Sequence, residues 1–185
     1  MEQNNMKSIT NEEYYTLIGL LDFFDTTRNT LLTFSFTTVL ALIGAVIALN
    51  SPVSPYLCLA PYFLIIPFTA RITYYRLSSA HINSFLRTFA PDTAVFRRGS
   101  TIVPEKHNWV YYPIAWLVNH EMFILSVAVG VVYVYQFCVT VQIETFWDII
   151  KMTFPVPFIC AVYMITHSTN SYPKRYGHFQ PQWEK

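Results

Sequence analysis

The sequence predicts an all-α integral membrane protein with four transmembrane helices, an N-terminal amphipathic helix and a cytoplasmic extension of the second span. Three observations carry this reading. Arg28 and Arg71 enclose 42 consecutive residues without Asp, Glu, Lys or Arg, and two further uncharged runs of 22 lie inside Glu121–Glu144 and Lys151–Lys174. A helix needs about 20 apolar residues to cross a bilayer core. Hydrophobic residues make up 53% and charged residues only 12%, against roughly 25% charged in a soluble domain. When the chain is threaded through four spans, 11 of its 12 Lys and Arg residues fall on one side, which the positive-inside rule makes the cytoplasm. The 185 residues read as a single membrane domain, with no length left for a separate soluble enzyme domain.

The elements follow in order. Residues 10–27 read as an amphipathic helix. Thr10 and Glu13 have the spacing of a capping box, and Tyr14, Leu17, Ile18, Leu21 and Phe24 recur at helical intervals. Glu12, Glu13, Asp22 and Asp25 make this helix acidic. It is expected to pack on its own bundle, because membrane-surface anchors carry Lys and Arg on the polar face. No secretory signal is expected, since residues 1–29 lack an apolar core. Insertion would then begin at the first span, 30–49, where Ala41, Gly44, Ala45 and Ala48 supply the small-xxx-small spacing of close helix approach.

A short turn at 50–55 leads to the second span, 56–70. Pro61 and Pro67 fall within it and predict kinks. The helix is expected to continue over 71–89 as part of a cytoplasmic loop, 71–120. Ile72, Tyr75, Ser79, Ile82, Leu86 and Phe89 form one stripe, and Ala90-Pro91 ends the helix. Arg97-Arg98-Gly99-Ser100 reads as an exposed turn. Trp109, Tyr111, Tyr112 and Trp116 suggest an interfacial aromatic belt. The third and fourth spans are expected at 121–140 and 150–169, with Pro155 and Pro157 in the outer part of the last and an irregular tail after it.

Chemistry is sparse. Cys58, Cys138 and Cys160 lie in apolar segments and match no zinc spacing. The five histidines are scattered, with no HExxH motif and no cluster with cysteine, so neither a metal site nor a cofactor is expected. Phosphate-binding glycine loops and nucleophile elbows are absent. Apart from Glu121 and Lys151 at their starts and His167 near an end, the spans hold no ionisable residue of the kind that marks proton relays. Arg76-Leu-Ser-Ser-Ala-His81 has the R-x4-H spacing of HEPN-type ribonucleases, in which a histidine acid/base works beside a phosphate-stabilising arginine. The bland alternative is a surface Arg and His near a membrane helix, and no enzyme is expected. Residues 71–106 carry six basic and two acidic side chains. Arg71, Arg76, Arg87, Arg97 and Arg98 are the candidate receiver or pore-mouth residues. They suit anionic lipid, the acidic N-terminal helix, or an RNA, nucleotide or acidic protein signal.

The acidic helix, the tight hairpin of spans, and the basic helix with Tyr74-Tyr75-Arg76-Leu77 and Phe85-Leu86-Arg87-Thr88-Phe89 together resemble small bacterial four-span proteins of phage-defence loci. The layout is similar to SLATT-type effectors and to the membrane accessory proteins of type VI-B CRISPR loci. SLATT proteins typically carry two spans, and this chain has two more. The resemblance implies a homo-oligomeric effector or regulator that permeabilises or depolarises the inner membrane when a cytoplasmic protein, nucleotide or RNA signals infection. Its partners would be the bilayer, further copies of itself and that signal. Two other readings stay open: a structural or regulatory subunit that binds a cytoplasmic partner, and a membrane-tethered ribonuclease built on Arg76 and His81.

Overall fold

The structure, a computed structural model, describes residues 9–49, 53–89 and 116–167, apart from the side chains of residues 87 and 88. Every regular element among them is helical: α1 Asn11–Leu49, α2 Ser54–Leu57, α3 Tyr62–Phe89, α4 Glu121–Thr140, α5 Phe146–Met152 and α6 Pro155–His167. Four stretches are long and apolar enough to cross a membrane: Asn11–Leu49, Ser54–Leu86, Glu121–Thr140 and Phe146–His167.

The amphipathic segment and the first span form one helix of 39 residues, roughly 58 Å long at 1.5 Å per residue. The boundary expected between 27 and 30 is a change of composition only. No Gly or Pro falls between Leu20 and Ile43, so nothing there breaks the backbone. The capping box expected at its start is formed. The Glu13 amide donates to Thr10 Oγ1 at 3.2 Å, and the Thr10 amide donates to Glu13 Oε2 at 3.0 Å.

The second span begins two residues earlier than expected and in two pieces. Pro55 opens the short α2. A chain of i→i+3 bonds, among them Leu59 N to Tyr56 O and Ala60 N to Leu57 O, then carries the backbone to Pro61. Pro61 stands just before α3, where a missing N–H leaves no helical bond unmade. Pro67 lies inside α3, which nevertheless runs unbroken for 28 residues.

The fourth span is interrupted. The backbone breaks at Thr153 and Phe154 because Pro155 disfavours a helical residue before it. Pro155 and Pro157 then fall in the first turn of α6, whose amides lack helical partners anyway. α5 starts with its own capping box between Thr145 and Asp148. The last span therefore begins at 146 rather than 150. Residues 168 and 169 of its expected end lie outside the described residues, as do the 90–91 stop, the 97–100 turn, Trp109, Tyr111, Tyr112 and the tail.

One core joins all four spans. Val39 and Ile43 of α1, Tyr62, Ile65 and Ile72 of α3, Met122, Leu125 and Val129 of α4, and Val162 of α6 pack together. Tyr62 is fully buried, stacks on Phe158 at 5.0 Å and donates its hydroxyl to Ser126 O at 2.7 Å. Gly130 lets α6 come close, since a Cβ there would stand 2.9 Å from Ile159 Cδ1. Outward positions are large and apolar, as with Phe63 at 78% and Val131 at 63% exposure. Such surface suits a hydrocarbon environment, where helices associate by packing rather than by water exclusion. The face bearing Ala41, Gly44, Ala45 and Ala48 also points outward, so it makes no close contact within the chain.

Candidate functional site

Three helices bring charge to one level of the bundle, at or just beyond the ends of their uncharged runs. Arg28 sits on α1, Arg76 on α3 and Glu121 opens α4. The expected stripe on α3 faces inward and meets the apolar side of α1. Ile72, Ser79 and Leu86 are buried, and Phe24 packs on Tyr75 at 5.8 Å. The acidic helix and the basic extension thus pair within one chain. The ion pair of Arg28 with Asp25, at 3.7 Å, stays inside α1.

Arg76 leaves the stripe and reaches α4. Its Nη1 donates to Asn119 O at 3.0 Å and its Nη2 to Val118 O at 3.4 Å. Those carbonyls end a helical turn at 116–119, where a guanidinium satisfies orphan acceptors and complements the local dipole. His120 completes the cap: its ring stacks on Trp116 at 4.5 Å and its Nδ1 lies 2.8 Å from Trp116 O. The next residue, Glu121, carries a buried Oε2 with no hydrogen-bond partner among the described residues. The cations whose fields reach it are Arg76 and Arg28. Arg28 Nε is likewise buried and unpartnered among the described residues.

Beside Arg76 and Glu121 lies a cavity of about 10 Å³, lined also by Thr69, Thr73, Asn119 and Thr166 among others. That is room for a single water. Thr69 and Thr166 donate their hydroxyls to Ile65 O and Val162 O. This knot of Arg28, Arg76 and Glu121 takes in Asp25 as well, which pairs with Arg28, so its formal charges balance; its arginine–carbonyl bonds tie α3 to the turn before α4 as a latch would. Moving α3 against α4 breaks the arginine–carbonyl bonds and leaves Glu121 less compensated.

The other candidate arginines are placed differently. Arg71 is exposed, beside exposed Tyr74, with its guanidinium 5.6 Å from the Tyr75 ring centroid. Arg87 lies on α3 with its side chain outside the described residues, and Arg97 and Arg98 lie outside them altogether. Of the five, Arg71 and Arg76 alone have described side chains, and the two take different partners. His81 follows Arg76 by five residues, a rotation of about 140° at 100° per residue. The two do not share a face of α3, and the arginine is occupied by the 118–119 carbonyls.

Sequence reasoning singled out Arg76 but not its partners Asn119 and Val118, nor Arg28. Glu121 entered it only as the edge of an uncharged run. A second set of ties sits at the opposite end of the spans. Ser54 donates to Gln136 Oε1 at 3.3 Å, Tyr133 donates to Lys151 O at 2.8 Å, and Lys151 donates to Asp148 at 2.8 Å. Comparison of the chain with protein-family models, with curated proteins and with solved structures finds no match.

Proposed function

We propose that the chain is an integral protein of a bacterial inner membrane with both termini cytoplasmic. In this reading it is a non-enzymatic effector or accessory of anti-phage immunity that oligomerises to permeabilise or depolarise that membrane. The observation that carries it is the continuity of α1 and α3. Each helix runs unbroken between a charged extension and an apolar span, so a displacement of the extension is passed to the span. The Arg28–Arg76–Glu121 knot lies where the two regimes meet. A signal that docks on the charged layer would act by shifting α3 relative to α4. The one-sided distribution of basic residues supports the orientation. The exposed small-residue face of α1 supports self-association.

The test is expression in a bacterial host with a membrane-potential dye. Wild-type protein collapses the potential or arrests growth, and reversing the charge of Arg71, Arg76 and Arg87 abolishes the effect at equal membrane abundance. Undiminished activity in that triple variant would sink the receiver role. The closed core favours a second reading. Among the described residues the space between the spans is filled by aliphatic and aromatic side chains, which suits a regulatory subunit that binds a cytoplasmic partner and conducts nothing. A stoichiometric partner without ion flux would favour it. His81→Ala separates both readings from a ribonuclease.

A further inference from the structure

We infer that the groove between α4 and the α5–α6 break binds an acyl chain of a phospholipid whose anionic headgroup lies on Lys151. The groove is an open trough of about 270 Å³ between Val127, Gly130 and Val134 on one wall and Met152, Pro155 and Ile159 on the other. Two local features shape it. Pro155 interrupts the last span at the groove wall, and Gly130 lets Ile159 and Pro155 close against α4, so that this contact forms the floor of the trough.

The lining is apolar throughout, as an acyl chain requires. The trough lies along the middle of α4, within its uncharged length, and opens sideways. Its surroundings change character at one end. Residue 151, beside Met152 in the groove wall, carries an ammonium with three donors. One of them goes to Asp148 at 2.8 Å, and the side chain is 40% exposed, which leaves two donors for a phosphate among the described residues. The depth is marked independently. Phe146 and Trp147 on α5 are exposed, at 72% and 69%, as aromatic side chains are where hydrocarbon meets headgroups. A flexible ammonium at that level reaches outward along its own stem. The trough, the cation and the aromatic pair together match one lipid molecule, with its chain in the groove and its phosphate at the mouth. The site lies at the end of the bundle opposite the arginine knot, so its lipid belongs to the leaflet opposite that face.

This inference rests on the bilayer-embedded reading but not on the effector role. The experiment is lipid analysis of protein extracted from membranes in a mild detergent, followed by add-back of synthetic phosphatidylglycerol or phosphatidylcholine and native mass spectrometry. Wild-type protein is expected to retain phospholipid in stoichiometric amount after extended washing and to rebind phosphatidylglycerol several-fold better than phosphatidylcholine. Val131→Trp and Val156→Trp, at exposed groove positions, should fill the trough and abolish retention. Lys151→Gln should keep a lipid but lose the headgroup preference. Wild-type protein without retained lipid would overturn the proposal even where a variant failed to fold, and so would equal retention in folded groove-filled variants. Recovery of the chain in the soluble fraction would instead overturn the bilayer reading itself.

Discussion

Replacing Arg76 with Met keeps most of the stem and removes the guanidinium that ties α3 to the start of α4. The 3.0 Å bond to Asn119 O is a charged-donor hydrogen bond and contributes ~1.5–3 kcal/mol. The 3.4 Å bond to Val118 O is long enough to add little. Glu121 is left with Arg28 as its remaining cation. Among the described residues no ion pair joins Arg76 to Glu121, so the Asn119 bond carries the cost, ~1.5–3 kcal/mol, which for a chain of this length lowers Tm by ~3–12 °C. The assay is thermal unfolding of the detergent-solubilised protein, read by tryptophan fluorescence and circular dichroism. Arg71→Met is the internal control: its side chain is exposed, and its loss should shift stability by less than ~1 kcal/mol. Adding Glu121→Gln to Arg76→Met should recover ~1–2 kcal/mol, because a buried carboxylate that has lost a nearby cation is removed. Equal, small shifts for the two arginine variants, or strict additivity with Glu121→Gln, would refute the latch.

The two span glycines should respond in opposite ways. Gly130→Val drives side-chain atoms towards Ile159 and the Tyr62 hydroxyl and should destabilise by ~1–3 kcal/mol. Gly44→Ala meets nothing within 4 Å and should stabilise the chain by ~0.5–1 kcal/mol, as thermal unfolding in detergent will read. Gly44→Leu, on the outward small-residue face, should lower the particle mass seen by light scattering corrected for detergent, and an unchanged mass would remove that face from the assembly. Tyr62→Phe deletes a buried hydroxyl bonded to Ser126 O and should lower stability by ~1 kcal/mol without altering helix content. Thr145→Ala removes the N-cap of α5 and should cost ~1 kcal/mol, with faster hydrogen exchange confined to 146–152.

That four helices are long and apolar enough to cross a membrane was legible because hydrophobic run length is a property of consecutive residues. The third span needed nothing beyond its charge-free run, which α4 matches from Glu121 to Thr140. The inward stripe of α3 was legible for a similar reason, since helical periodicity writes burial into the spacing of Ile72, Ser79 and Leu86. Prolines were harder to read. Pro67 is carried within α3, whereas Pro155 stops a helix, because the second stands where the chain can restart with its first-turn amides unpaired.

The sequence alone therefore determined an all-helical chain with four bilayer-length apolar segments. Only the tertiary structure decided that α1 is one continuous rod, that Arg76 closes on carbonyls 42 and 43 residues away, and that Arg71 faces outward instead. It also decided that Gly130, Pro155 and Ile159 enclose a groove, while Gly44, equally suited to close packing by its spacing, points away from the chain. Local hydropathy states that a residue belongs in a helix and in lipid. Which neighbour a side chain meets depends on how whole helices cross, and that is settled by packing between segments far apart in the chain.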